Sequence, residues 1–556
     1  MNIALTMPRL SEVATNAAAD LAAANFSANL AALADKQPGM PAQVQPLPGE
    51  LTWLFGRDGA LTGMLDKTRW WAGCSVPLAA ARFMLKSMEV RGTVGCFLNP
   101  LHASQLRVAL GMLHARQAVF ALVPEEQTLA VLLHTQDFSA DIRAGRLWFA
   151  GGAQWESGLR SIFRDEPGLP TPVEFIRPIT ADAEATNALI EPAQRVFAEV
   201  SAARGTEIKI LCENWKPRAA NPTRLCLLAP TEFRLWDDAP LALAEMHLAT
   251  AGIFVTRLDS DRPTSSSPMA LGRAAVECDA VLTANVFRSH LPGVVPLAMP
   301  WITWVTSSRI CPATEASPND RLLLADPSWQ AAARELGWEE SKIDVAGWPK
   351  LPLSNQPSRQ ITVLADTQVL DVPKGLEEYS SQVLLWELIR DELWGDPFLA
   401  VDNINGYLNS RRARFQIGDD GFDRSVFIDG LIMPAVQQGV VKRLIRDRVP
   451  VRLFGRGWDA IDGFADFHGG VVSSRSKLTE IVSASAALVH LWPWQTGHAV
   501  EALGRPVVRC RRVHEFLSDA RAALNGTLPP PTTTSQTICP ELIARNLTRA
   551  ISPDPS

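Results

Sequence analysis

The most informative stretch of this 556-residue chain runs from Ala487 to Val508. An apolar strand-like run stops at Trp492 to Trp494, a loop follows with Thr496 and Gly497, and the pattern predicts a helix that begins at His498. Main-chain N–H groups at a helix start attract phosphate, so a nucleoside diphosphate suits this position. His498 and Glu501 stand three residues apart, on one helical face, and a carboxylate accepts both hydroxyls of a ribose. About forty residues earlier, Gly455-Arg456-Gly457-Trp458 follows another strand-like run. Glycines there allow a close backbone approach, and Arg456 can neutralise a diphosphate through a charge-assisted bond. Two weaker candidates for acid–base work are His290, after the run Ala280–Thr283, and Asp366, directly after Ile361–Leu364.

Each of these residues also has a plainer use. Glu501 can brace a helix against Arg505, His498 can simply begin a helix, and Arg456 can be a solvated turn charge. Trp492 and Trp494 suit packing better than base stacking, and His290 suits an ordinary surface position. The acidic pairs Asp237-Asp238 and Asp419-Asp420 read as loop charges, so no Asp-x-Asp metal clamp is expected. Helix dipole, Arg456 and main-chain amides would instead carry the leaving diphosphate.

The elements that must position these residues alternate along the chain. A long Ala-rich helix over residues 9–36 reads as an appendage, and the Pro-rich segment 37–49 as a linker. From 50 to 178, helices at 75–89, 101–113, 125–133 and 153–164 alternate with strands at 93–98, 118–123, 146–150 and 173–176, which predicts a mainly parallel sheet. A helix over 182–203 leads to a second series, with strands Lys209–Cys212, Arg224–Leu228, Gly252–Thr256, Ala280–Thr283 and Trp301–Val305 and helices near 238–250 and 267–276. Residues 308–356, rich in turns and Trp, read as a connection. A third series holds strands Ile361–Leu364, Val451–Phe454, Gly470–Val472, Ala487–Leu491 and Pro506–Arg509, with helices at 375–393, 424–447 and 475–484. A loop at Pro529 to Thr534 and a helix near 540–550 end the chain.

Two segments resemble known families. Residues 93–150, through the strand–turn–helix at 93–113, the strand–Pro–acid at 118–125, Gln136-Asp137-Phe138-Ser139 and Gly145-Arg146-Leu147, resemble the Rossmann-like domain of bacterial motility-accessory, flagellin-glycosylating proteins. Such domains usually have a glycine-rich first turn, and this one reads Asn99-Pro100-Leu101. Tight binding of a methyl donor or dinucleotide is therefore not expected there. Glu125, where a ribose-binding acid would stand, reads better as a helix-start acid. Residues 448–509 resemble the C-terminal lobe of GT-B glycosyltransferases of the group-1 and spore-maturation (CgeB-like) kind. The likeness lies in the Gly-x-Gly-Trp turn and in Glu501-Ala502-Leu503-Gly504-Arg505-Pro506-Val507-Val508. It implies ribose contact by Glu501 and nucleotide contact at Gly497 and His498. Many retaining members carry a second Glu eight residues earlier, where this chain has Pro493.

The fold class expected is α/β: an N-terminal Rossmann-like domain followed by a two-lobed GT-B glycosyltransferase fold. The expected partition is a helical segment and linker (1–49), the Rossmann-like domain (50–204), an acceptor-side lobe (205–355), a nucleotide-sugar lobe (356–527) and a C-terminal helix and tail (528–556). The function that follows is metal-independent transfer of a sugar from a nucleotide-sugar donor to a protein or surface-glycan acceptor, with no separate cofactor. A sugar-nucleotide epimerase on the same fold and a non-catalytic scaffold are the alternatives. Composition narrows the field. With 53 Lys and Arg against 59 Asp and Glu, the net charge of −6 offers no global attraction for nucleic acid. The eight Cys include no C-x-x-C pair, so no zinc ribbon is expected and the thiols read as reduced. Residues 1–30 carry Arg9, Glu12 and Asp20 without an apolar signal core, and the uncharged run Leu291–Ser308 is broken by Pro292, Pro296 and Pro300. Neither a secretory signal nor a membrane span is expected, which points to the cytoplasm.

Overall fold

The computed structural model describes residues 12–44, 47, 51–85, 94–113, 117–177, 183–216, 224–229, 241, 245, 248–249, 252–259, 263–307, 309–345, 353, 359–373, 376–418, 421–472, 475–492 and 499–530. The predicted helices near 238–250 and 540–550 lie wholly or largely outside them, as do the acidic pairs at 237–238 and 419–420.

The fold class is the expected one: α/β, with three parallel sheets in sequence order. A small antiparallel sheet precedes them, formed by β1 (Leu51–Phe55), β2 (Leu61–Leu65) and β3 (Arg69–Trp70). The first parallel sheet holds β4 (Val94–Leu98), β5 (Ala118–Val123), β6 (Leu147–Gly151) and β7 (Glu174–Ile176), in the order β6-β5-β4-β7. That is the third-second-first-fourth order of a Rossmann half. β4, β5 and β6 are fully buried apolar runs, as a sheet covered by helices on both faces requires, and the edge strand β7 is only partly buried.

The N-terminal helix, Glu12–Lys36, is built in rather than appended. Ala18 and Ala22, one turn apart, have no exposed surface and pack with Trp53, Leu61 and Val131. Two methyl side chains let the helix approach closely, and polar residues fix it. Asn29 donates to the carbonyls of Leu133 and Gln136 and accepts from the Phe138 N–H, and Gln37 brackets the main chain of Phe149.

The second parallel sheet contains β8 (Arg224–Ala229), β9 (Phe254–Asp259), β10 (Ala280–Ala284), β11 (Trp301–Val305), β12 (Asp320–Leu324) and β13 (Ile343–Val345). The segment predicted as a connection thus supplies two strands, β12 and β13. The predicted strand Lys209–Cys212 is instead helical, inside the 25-residue helix Ile190–Asn214. Three apolar residues, Ile210-Leu211-Cys212, fit either element, and here the helix already under way continues through them.

The third sheet comprises β14 (Ile361–Leu364), β15 (Val451–Phe454), β16 (Ala487–His490) and β17 (Val507–Arg509), in the order β15-β14-β16-β17. The chain crosses from β14 to one side and returns on the other, so the topological switch lies between β14 and β16. Ligands of open α/β sheets bind beyond the carboxyl ends of strands at such a point. The predicted strand at 470–472 is absent; only an isolated bridge joins Leu453 to His468. Helices Ile404–Arg414 and Val513–Leu524 were not foreseen. The long helical stretch at 424–446 is interrupted by a π turn at Ile428–Ile432. Pro434 explains it. It has no N–H to give the Gly430 carbonyl, and that oxygen accepts from Gln368 Nε2 at 2.7 Å.

Among the described residues no helix is long and apolar enough to cross a membrane, and the seven described cysteines carry no disulfide.

Candidate functional site

The carboxyl ends of β14 and β15 are laced together. Ala365 N donates to Phe454 O, Thr367 N to Arg456 O at 2.9 Å, and Arg456 N to the Asp366 carboxylate at 2.8 Å. Trp458 Nε1 closes the turn on the Ala365 carbonyl. Gly455 and Gly457 have φ values of 137° and 82°, and a Cβ on either would lie 2.1 or 2.0 Å from the carbonyl oxygen of Ala365 or Thr367. The close approach foreseen for these glycines is therefore made by the neighbouring chain turn. Its effect is to hold Asp366, which is exposed, and Arg456, which is half-buried, together at the edge of the sheet. Gln438 supports the same loop by donating to Thr367 Oγ1 and Gln368 O.

Past β16, residues 493–498 lie outside the described set, and with them Thr496, Gly497, His498, Pro493 and Trp494. The described helix there is the single turn Ala499–Ala502. Glu501 is 5% exposed, and its Oε1 accepts from Nε and Nη2 of Arg509 at 2.9 and 2.5 Å. Its brace is thus Arg509 rather than Arg505, which donates to the carbonyls of Val482 and Ser483 near the end of helix Arg475–Ala484. Trp492 is buried in the core of this lobe.

His290 stands on the second sheet's side, exposed, with Nδ1 accepting from Phe287 N and the ring edge-on to Phe287. The structure therefore brings Asp366, Arg456 and the glycine turn together, and it places His290 in the loop past β10 of the second sheet. A link between the two sheets does exist. Arg309, four residues past β11, pairs with Asp429 of the π turn, and the adjacent Gly430 is the residue held by Gln368 past β14. The carboxyl edges of the second and third sheets thus adjoin a common junction. Asp429, Gln368, Gln438 and Arg509 were missed from sequence. The one signal in the sequence that could have led toward Asp429 is Pro434, a proline inside a helical pattern.

In the N-terminal unit, the turn after β4 is filled by its own side chains. Gln105 Oε1 accepts from Leu101 N, His102 Nδ1 from Ser104 N, and Leu101 O accepts from Trp71. Glu125 accepts from Thr128 Oγ1 at the next helix start. Burial pushes the His102 imidazolium down to about 4 from the ordinary 6.5, with Asp58 opposing the shift. The unfolded chain then binds the extra proton between those values, so stability is complete above about pH 6.5 and declines as pH falls toward 4. His102→Asn, which retains a side-chain acceptor for Ser104 N, is expected to flatten that part of the pH–stability curve. A curve of unchanged slope in the variant would contradict this account.

No family model matches the chain, and no curated protein matches it. Among solved structures it is similar to a MAf glycosyltransferase from Magnetospirillum magneticum AMB-1, at 12% identity and a TM-score of 0.25. That match spans 59% of this chain and 57% of the other.

Proposed function

We propose that the protein is a glycosyltransferase, moving a sugar from a nucleotide-sugar donor to a protein or glycan acceptor without a metal ion. The observation that carries this reading is the junction of two sheet edges: Arg309–Asp429 and Gly430–Gln368 draw together the carboxyl ends of strands from two parallel sheets. A bisubstrate reaction between a charged donor and a separate acceptor uses such a crevice, with one substrate on each side. The donor side would be the lobe at 356–527, where the β14–β16 switch and the Asp366–Arg456 turn lie. The acceptor side would be the lobe at 205–355, with His290 as the candidate base that takes the acceptor's proton. As the bond between the sugar and the diphosphate breaks, negative charge grows on the departing phosphate, and Arg456 would stabilise it there.

Arg456→Ala is expected to weaken nucleoside diphosphate binding about tenfold or more, the effect of losing a charged hydrogen bond worth about 1.5–3 kcal/mol. Titration calorimetry on the full chain measures it, and wild-type affinity in the variant would overturn the assignment.

A further inference from the structure

The Glu501–Arg509 pair lies in the last row of the third sheet. Leu364 pairs with Phe454 and His490 with Arg509, and continuing the β14–β16 register by two residues sets Leu364 beside His490. Phe454, Leu364, His490 and Arg509 therefore form one row along the carboxyl edge, with Leu364 and His490 flanking the switch point. Leu364, Leu488 and Val507 share a core with Val500 and Leu503. Side chains alternate along strands, so His490 and Arg509 project on that same face, where Glu501 also lies.

The two partners differ in exposure. The Glu501 side chain is 4% exposed and that of Arg509 is 40% exposed. A carboxylate so deeply buried is costly unless paired, and a pair that wanted only burial would cover both members. Here the carboxylate holds Nε and one terminal nitrogen of the fork, which fixes the guanidinium plane. The second terminal nitrogen, Nη1, has no partner among the described residues. His490, 1% exposed, stands behind the carboxylate with Nδ1 3.9 Å from Oε1. Past Arg509 the chain continues Cys510-Arg511-Arg512, with both arginines exposed. In a chain of net charge −6, this edge gathers positive charge beside the switch point.

We propose that Arg509 is a phosphate-binding residue of the donor site, and that Glu501 is a positioning residue that aims it rather than a direct ribose ligand. The inference rests on the glycosyltransferase reading above. The guanidinium offers its outward edge to a diphosphate oxygen, and the buried carboxylate pre-pays the loss of side-chain freedom.

The test uses the full chain and calorimetric titration with a nucleoside diphosphate, its 2′-deoxy counterpart and the matching nucleoside. Arg509→Gln is expected to weaken diphosphate binding at least tenfold and leave nucleoside binding unchanged. Glu501→Gln should weaken both diphosphates equally, because the lost interaction is with phosphate. Because Arg509→Gln alone strands a buried carboxylate, the paired variant Glu501→Gln/Arg509→Gln is the fold-preserving check. With its melting temperature near wild type, it should lose no more affinity than Arg509→Gln. Unchanged diphosphate affinity in Arg509→Gln or in the folded double variant would overturn the role of Arg509. A larger loss for the ribose form than the deoxy form in Glu501→Gln would restore Glu501 to the ribose. Wild-type protein that binds no nucleoside diphosphate would overturn the glycosyltransferase reading itself, and this inference with it.

Discussion

Arg288→Ala is expected to cost about 3–5 kcal/mol, the range for breaking a buried ion pair from one side. Arg288 and Asp320 are each 6% exposed, with Nε 2.7 Å from the carboxylate. The guanidinium also donates to the carbonyls of Pro296 and Met299 and lies over the Trp301 ring, 5.4 Å from its centre. Residues 285–300 contain no strand, so these bonds replace a ladder in tying the loop to β11 and β12. Removal of the side chain leaves the buried Asp320 carboxylate without its countercharge, held only by the Ser317 N–H, and takes a donor from the Met299 carbonyl, while the Pro296 carbonyl keeps the Met299 N–H. Arg288→Lys would be nearly as harmful, since one ammonium cannot reproduce a planar fork. Replacing both partners by apolar residues, Arg288→Met with Asp320→Leu, should cost less than either single loss. Because a chain with several sheets need not unfold in one step, the effect is best read locally. Amide exchange in β10, β11 and β12 should accelerate while the third sheet keeps its protection. Equal protection of β10 to β12 in Arg288→Ala and wild type would show that the Arg288–Asp320 pair does not hold this loop to the sheet.

Gly457→Ala carries the second large effect, about 3 kcal/mol. At φ 82° an alanine pays about 1–2 kcal/mol for the left-handed backbone, and its Cβ would stand 2.0 Å from Thr367 O, which adds about 1–3 kcal/mol for overpacking. Gly463→Ala is the control. It has a similar φ of 81° and nothing within 4 Å of the added carbon, so only the same backbone cost of about 1–2 kcal/mol applies. The two variants separate strain from contact. Gly457→Ala must also part the turn from the β14 loop, so donor affinity should fall with stability, whereas Gly463→Ala should leave donor affinity at the wild-type value. Equal melting temperatures for the two variants would show that the β14–β15 lacing does not hold the turn.

How far the sequence carries the fold can be seen strand by strand. The buried apolar runs 118–123, 301–305 and 361–364 were legible to the residue, because continuous apolar runs rich in β-branched and aromatic residues between turn residues suit a covered parallel strand, and 451–454 was legible by its alternation, with Arg452 exposed between Val451 and Leu453. Asp320–Leu324 was hidden by its charged start and flanking turns and Ile343–Val345 by its three-residue length, and Lys209–Cys212 was misread because three apolar residues after a lysine carry too little periodicity. The antiparallel sheet at 51–70 was missed. Its register depends on pairing across Gly56–Ala60, anchored by Asp58 receiving the N–H groups of Ala60, Leu78 and Ala79. At the candidate site, the strand ends and the glycine turn could be read, since residue type and position coincide there. What the glycines approach could not be read, nor which arginine meets Glu501. Arg505 is the helical neighbour and Arg509 lies a strand away, so the choice depends on the turn at Gly504 and on the sheet register that follows.

Incubating the full chain with a panel of nucleotide-sugars, in the presence of a chelator, and measuring release of nucleoside diphosphate tests whether the protein transfers sugar. A glycosyltransferase should release it from at least one donor, slowly to water and faster when a protein or glycan acceptor is added, and Arg456→Ala should slow both. A folded protein that neither binds nor consumes any donor in the panel would contradict the glycosyltransferase reading.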